Sequence, residues 1–181
     1  SIMIVTRARK ATGFFQAFLT SGVYMRILHI AAANMLTGGG ERHVAELITW
    51  QKEQGHDCAL IAPGGGDLGE LAHKLGLSVY EAKIARGFSL DALNAVMDGI
   101  IDFEPEIVHV HGHRAALFGR LADSLAGKRL VYTLHGIHIG QGLASFAKIA
   151  IERLYHKRVA RFIVTAKSDI QKAEMFGLAR A

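Results

Sequence analysis

A run of three glycines, Gly38-Gly39-Gly40, lies between a short apolar segment, residues 26–30, and a helical pattern that starts at His43. A strand, a glycine loop and a helix in this order direct backbone N–H groups and a helix N-terminus towards an anion. Glycine also lets a phosphate approach the backbone, because no Cβ stands in the way. Residues 37–42 are therefore a candidate site for a phosphate or diphosphate. The alternative is a tight strand–helix turn that binds nothing.

Histidines are concentrated in two later segments of the chain. His109, His111 and His113 alternate in the first segment, and His135 and His138 stand in the second. Side chains alternate along a strand, so the first three would share one side if the chain stays extended. Neutral imidazoles bind zinc, and they also hydrogen bond to hydroxyl and phosphate groups. We interpret His111 and His135 as functional, and His109 and His138 as residues that end strands.

Two kinds of chemistry use such histidines. A metal-dependent hydrolase would use His109, His111 and His135, but a zinc site also calls for a nearby carboxylate or thiolate, and the single cysteine, Cys58, lies on an early predicted strand. The other use is a sugar-nucleotide cleft, for which we expect no metal and no cofactor. A noncatalytic Rossmann-like binding module is the third hypothesis.

Two common nucleotide motifs are missing from the glycine loop. A dinucleotide fold needs G-x-G-x-x-G and an acidic residue at the end of the second strand, whereas Gly40 is followed by Glu41 and the second strand ends at Ala62-Pro63. A Walker loop would end in Gly-Lys-Ser/Thr, which this loop does not. We therefore do not expect the chain to bind NAD through a dinucleotide motif or ATP through a P-loop.

The elements that position these residues alternate between apolar runs and helical patterns. Apolar runs rich in Val, Ile and Leu are typical of strands buried on both faces. The predicted strands are 26–31, 57–62, 77–81, 107–111, 129–134 and 161–165, and the predicted helices are 41–54, 67–75, 89–103, 114–126, 143–160 and 168–176. Repeated alternation predicts an α/β, Rossmann-like parallel sheet with helices on both faces. The glycine loop and both histidine segments then follow strand ends at one edge of the sheet, where such folds bind ligands.

Composition limits the class of protein. The chain has 181 residues, 50% of them hydrophobic and 20% charged, which is enough apolar material for one core. The net charge of +5 is mild, and Arg7, Arg9 and Lys10 supply part of it, so we expect no nucleic acid partner. We expect residues 1–24 to be a leader or upstream extension outside the core fold, and residues 25–181 to be the domain.

The ordered motifs resemble a known family. They are the glycine loop, residues 104–112 (EPEIVHVHG), residues 117–122 (LFGRLA), residues 132–136 (YTLHG) and residues 162–169 (FIVTAKSD). The set resembles the N-terminal half of retaining GT-B glycosyltransferases of the large group-one family. Within that group it is similar to family four. This family includes sugar transferases of hexosyltransferase type that act in cell envelope polysaccharide biosynthesis.

The resemblance implies a role for each matching residue. Gly38, Gly39 and Gly40 would approach the donor diphosphate, and His135 would act as the catalytic residue that contacts the donor sugar. The acceptor or sugar side would be lined by His111, Gly112, Arg86 and Gly136. The partners implied are a nucleotide-sugar donor and a glycan or lipid-linked acceptor.

The family's second, C-terminal domain binds the donor and neutralises the leaving diphosphate, and the sequence ends at Ala181 before such a domain. We therefore expect this domain to be inactive alone. The single cysteine fits a cytoplasmic location. The basic and apolar stretch 146–161 would fit a peripheral contact with an anionic membrane on its inner face, or an ordinary helix that covers the sheet.

Overall fold

The computed structural model describes residues 3–5, 24–84, 88–127, 129–135, 159–165, 169–171 and 174. Seven strands and four helices are defined within them. The strands are β1 (Met3–Val5), β2 (Arg26–Ala31), β3 (Asp57–Ala62), β4 (Ser78–Glu81), β5 (Ile107–His111), β6 (Arg129–Leu134) and β7 (Val159–Val164). The helices are α1 (Gly39–Glu53), α2 (Gly66–Lys74), α3 (Leu90–Phe103) and α4 (Gly112–Ala126).

The strands form one sheet in the order β4-β3-β2-β5-β6-β7-β1. Strands β2 to β7 are parallel, which confirms the predicted α/β sheet. The strand β1 differs from expectation, because Met3–Val5 pairs antiparallel with β7 and so extends a sheet from which residues 1–24 were expected to be absent. The prediction of a helix over 143–160 is wrong at its end, since β7 already begins at Val159; residues 143–158 lie outside the described residues.

Helices cover both faces of the sheet, and each face has its own apolar core. On one face, α3 and α4 place Val96, Ile100 and Phe118 against the strands. On the other, α1 and α2 contribute Val44, Ile48 and Leu68. Alternate strand residues supply the two cores, as the two-residue period of a strand requires. Because both faces are apolar, the strand sequences read as nearly continuous hydrophobic runs.

The helix ends agree with their sequence signals. Gly55, Gly76 and Gly127 follow α1, α2 and α4, and all three have positive φ, as glycines that end helices commonly do. The Ser89 hydroxyl accepts a hydrogen bond of 3.2 Å from the Ala92 N–H and so caps α3.

The strand order reverses between β2 and β5. From β2 the chain proceeds outward through β3 and β4, and it then returns to the other side of β2 to form β5. The helices that follow β2 and β5 pack on opposite faces of the sheet, so the chain leaves the carboxyl ends of these two strands in opposite directions. Such a switch point is where open α/β sheets bind ligands.

Candidate functional site

The glycine loop, His111 and His135 meet at this switch point. The glycine loop follows β2, His111 is the last residue of β5, and His135 comes directly after β6. Strand pairing sets their neighbours: His29 of β2 stands beside His109 of β5, and His111 stands beside Thr133 of β6. Three adjacent strands therefore carry polar side chains to one region of the sheet.

These side chains lie on the face that α1 covers, and the three histidines on β2 and β5 are buried. His29 is fully inaccessible, and His109 and His111 are 3% and 5% exposed. Ile27 and Leu60, whose side chains point to the same face of the sheet as His29, belong to the apolar core beneath α1 and α2. A buried polar group loses its hydration, so each of these imidazoles needs partners inside the protein.

A continuous row of hydrogen bonds supplies those partners. His29 Nε2 lies 2.7 Å from Gln51 Oε1 on α1, and His29 Nδ1 lies 3.0 Å from His111 Nε2. His111 Nδ1 lies 3.3 Å from His135 Nε2. We call Gln51, His29, His111 and His135 the imidazole row. It leads from the covered face of α1 to a partly exposed ring, His135, at the edge of the sheet.

His109 forms a side branch of this row. Its Nε2 lies 2.7 Å from Thr133 Oγ1 on the neighbouring strand. Its ring stacks on that of His111 with 4.2 Å between centroids and an interplanar angle of 29°. His109 does not end the strand as expected, because β5 continues to His111; its ring instead supports His111 from one side.

Burial keeps the rings of the row neutral. Desolvation is the main cause that lowers the pKa of His29 to about 4 and that of His135 to about 4. The pKa of His111 is lowered well below its usual value by burial and then by the neighbouring His109 and His29. At neutral pH each ring therefore carries one proton and no charge, and offers one donor and one acceptor.

The glycine loop packs against the end of the row. The helix α1 begins at Gly39 after Gly38, which has extended φ and ψ and no side-chain cap. A Cβ at Gly40 would lie 3.2 Å from His135 Cγ, whereas a Cβ at Gly39 would meet nothing within 4 Å. None of the three glycines has positive φ, so the requirement at Gly40 is close approach and not backbone conformation.

Gly112 and His113 have different roles from those expected of an extended segment. Gly112 has φ of 76° and is the first residue of α4, so strand β5 changes into helix with no loop between them. The expectation that His113 shares a side with His109 and His111 is wrong, because the strand ends at His111. His113 is instead exposed in the first turn of α4.

Other predicted residues lie outside the part of the chain that the structure describes. These are Arg86, Gly136, His138 and most of the basic stretch 146–161. Within the described residues, no helix is long and apolar enough to cross a membrane.

Sequence reasoning missed three residues of the site. His29 and Gln51 belong to the row, and the ring of His43 on α1 lies 5.3 Å from that of His135. Burial also lowers the pKa of His43, and its Nε2 is buried without a hydrogen-bond partner among the described residues. A signal was present, since Gln51 continues the buried stripe of Val44 and Ile48 on α1.

One group of histidines has the geometry of a possible metal site. His29, His109 and His111 each offer a ring nitrogen, and the three atoms lie within 4.8 Å of one another. The predicted hydrolase trio was His109, His111 and His135, so the structure replaces His135 by His29. All three residues of the observed group are buried.

Comparison with protein families shows the family to which the chain belongs. The model of Glycosyltransferase Family 4 matches residues 37–181, which begins at the glycine loop and includes both histidine segments. The chain belongs to glycosyltransferase family 4. The match covers most of the chain, and the resemblance inferred from the ordered motifs is confirmed. No curated protein matches this family 4 chain.

Solved structures show the same fold for this family 4 domain. HepE of Anabaena, solved with UDP, has a TM-score of 0.63 and 16% identity, over 88% of this chain and 42% of that chain. A glycosyltransferase of Rickettsia africae has a TM-score of 0.57 and 20% identity, over 74% and 34%. MurG of Acinetobacter baumannii has a TM-score of 0.51 and 18% identity, over 70% and 39%. The chain thus spans less than half the length of these proteins and has the fold of an N-terminal GT-B domain.

Proposed function

We propose that this family 4 domain is the acceptor-side half of a retaining glycosyltransferase. The enzyme would transfer a sugar, of hexosyl type, from a nucleotide-sugar donor to a glycan or lipid-linked acceptor. The observation that carries the proposal is the packing of the first turn of α1 against His135 at the switch point. It brings a helix N-terminus suited to phosphate and a neutral imidazole to the same place.

The arrangement suits the two ends of a nucleotide sugar. Backbone N–H groups at the start of α1 would bind the diphosphate, for which the open space at Gly39 leaves access. His135, adjacent to that turn, would contact the donor sugar and serve as the catalytic residue. HepE has been solved with UDP and glucose and with UDP-glucose, which supports a nucleotide sugar as the ligand class.

A second domain would complete the catalytic cleft. The chain covers 42% of HepE and 39% of MurG, so more than half of each of those proteins has no counterpart in it. The leaving diphosphate needs positive or hydrogen-bonding groups as its charge develops. We propose that a C-terminal domain supplies them and that this domain alone is inactive. We further propose a cytoplasmic location and a peripheral membrane contact, for which the basic stretch 146–161 is the sequence support.

The test uses the complete protein and a panel of UDP- and GDP-sugars with glycan and lipid-linked acceptors. We expect transfer with the anomeric configuration of the donor retained, as read by NMR of the product. His135→Ala should lower kcat about 100-fold, the size of a lost transition-state hydrogen bond, whereas His73→Ala, at an exposed histidine of α2, should not. Equal activity of both variants, or an inverted product, would contradict the proposal.

A metal-dependent hydrolase is the second candidate, and the three histidine nitrogens within 4.8 Å of one another favour it. A catalytic zinc keeps an open position for water, and all three histidines of this group are buried. Metal analysis of the purified protein separates the candidates. If the protein is a transferase, we expect no stoichiometric zinc. Hydrolytic activity that chelators abolish would instead support the hydrolase.

A further inference from the structure

The hydrogen bonds of the imidazole row have a direction. A carboxamide oxygen can only accept a hydrogen bond, so His29 Nε2 must carry the proton that it donates to Gln51 Oε1 over 2.7 Å. A neutral imidazole has one proton, which leaves His29 Nδ1 as an acceptor. His111 Nε2, 3.0 Å away, must then be the donor.

The same constraint passes along the row to its partly exposed end. Because the His111 proton is on Nε2, His111 Nδ1 is an acceptor, and His135 Nε2 donates to it over 3.3 Å. We infer that Gln51, acting through His29 and His111, fixes His135 as its Nε2–H tautomer and leaves a lone pair on His135 Nδ1. Gln51, His29 and His111 are thus positioning residues for the His135 ring. Of the three, only His111 hydrogen bonds to that ring directly.

Gln51 is the member of the row that sets this direction. A neutral imidazole can carry its proton on either nitrogen, so with three rings alone the hydrogen bonds of the row could point in either direction. Gln51 is 7% exposed and directs its carboxamide oxygen, which can only accept a hydrogen bond, towards His29. Burial of His29 and His111 prevents either ring from taking a second proton at neutral pH and so keeps the row neutral.

The helix α1 contacts both ends of the row. Gln51, in its last turn, fixes His29, and Gly40, in its first turn, packs against His135. One rigid element therefore holds the tautomer of His135 at one end and the position of its ring at the other. Loops alone would leave both properties free to vary.

The tautomer determines which ligand groups His135 recognises. An unprotonated Nδ1 accepts a hydrogen bond from a hydroxyl, whereas a diphosphate ester carries no proton to donate at neutral pH. This step rests on the proposed function: His135 accepts a hydrogen bond from a hydroxyl of the donor sugar and does not bind the diphosphate. The diphosphate is then left to the backbone N–H groups of α1.

The tautomer is measured directly by long-range ¹H–¹⁵N NMR of the chain with ¹⁵N-labelled histidine at pH 7. We expect His29, His111 and His135 all to carry their proton on Nε2. A wild-type spectrum with His135 protonated on Nδ1 would overturn the inference. So would ring signals of His29 and His111 that change on EDTA treatment, since a metal and not a hydrogen bond would then occupy His29 Nδ1.

Gln51→Met removes the accepting oxygen at similar side-chain length, and we expect His135 to become a mixture of both tautomers. Thr133→Val is the matched control, because it removes a neighbouring hydrogen bond of His109 and leaves the row intact. An unchanged His135 spectrum in folded Gln51→Met would refute the role of Gln51. If that variant does not fold, the wild-type spectrum still decides the direction of the row.

Binding of UDP and UDP-glucose to the complete protein then tests the ligand step separately. We expect Gln51→Met to weaken UDP-glucose binding about tenfold, as for a misplaced hydrogen bond of about 1.4 kcal/mol, and to leave UDP binding unchanged. Equal weakening for both ligands would overturn the selection of a hydroxyl. If the wild type binds neither UDP nor UDP-glucose, the result would count against the proposed function, whereas the tautomer measurement would still be valid.

Discussion

Gly40 and His135 lie so close together that a Cβ at position 40 would make an unusually tight contact with the imidazole side chain. The distance from a Cβ at Gly40 to His135 Cγ would be 3.2 Å, and to His135 Cβ 3.3 Å. The start of α1 and the residue after β6 are separated by 95 positions in the sequence, yet they touch at the switch point of the sheet. A side chain at position 40 would therefore require the His135 ring, on the other side of this contact, to shift by a few tenths of an ångström.

We expect Gly40→Ala to displace the His135 ring and to lower transfer by the complete protein about tenfold, since misplaced catalytic groups are costly. Gly69→Ala on α2 is the control, because its Cβ would meet nothing within 4 Å and the residue lies outside the proposed site. Histidine ring NMR signals and initial transfer rates measure the two effects. Equal effects of the two alanines would show that the contact with His135 does not matter.

We expect Thr133→Val to lower the free energy of unfolding by about 1–3 kcal/mol, because His109 Nε2 would lose its partner within the protein. Urea denaturation measures the change. Thr49→Val is the control, since the Thr49 hydroxyl bonds to the Ala45 carbonyl within α1 and no buried imidazole depends on it. A loss for Thr133→Val no larger than the control would show that His109 is satisfied in another way.

We expect the free energy of unfolding to fall as the pH is lowered from 6.5 to about 4. The pKa of His29 is about 4 in the folded chain against 6.5 without burial, so the unfolded state binds the proton first. The stability is complete above pH 6.5 and decreases below it, with a slope of at most about 1.4 kcal/mol per pH unit from this residue. Below pH 4 the contribution of His29 no longer changes.

Urea denaturation at a series of pH values measures this slope. His29→Gln removes the titrating ring and should flatten the dependence, even though its stability at pH 7 is lower. A slope that is unchanged in His29→Gln would contradict the assignment of His29 as a ring that stays neutral because it is buried.

We expect Gly112→Ala to destabilise the domain by about 1–2 kcal/mol, because φ of 76° is a left-handed conformation that a Cβ disfavours. The cost comes from the backbone, since a Cβ there would meet nothing within 4 Å. Gly69→Ala within α2 also has open space and no positive φ, so it is the matched control. Thermal unfolding of both variants should show a lower Tm for Gly112→Ala alone.

The sequence was sufficient to predict the sheet because its strands are short apolar runs bounded by glycine and helical patterns. The bounds of β2, β3, β5 and β6 agree with the prediction to the residue. Because parallel sheets bind ligands at the carboxyl ends of their strands, the sequence also predicts that the glycine loop, His111 and His135 lie at one edge. Each of these inferences uses local pattern and the general topology of parallel sheets.

The inner part of the site could not be predicted in the same way. His29 and His111 are 82 positions apart, and their bond depends on the register that places Ala31 beside His111. Gln51 reaches His29 only because α1 packs on that face of the sheet. A single sequence shows that these residues are polar, but the order and register of the strands decide which polar residues meet.

The strand β1 has a consequence for how this domain behaves in a concentrated solution. Without it, the outer side of β7 would present unpaired N–H and C=O groups over six residues, and such an edge promotes pairing with another chain. Within the described residues, Met3–Val5 covers part of that side and itself offers an edge of only three residues. The first few residues of the chain thereby protect the sheet from intermolecular growth.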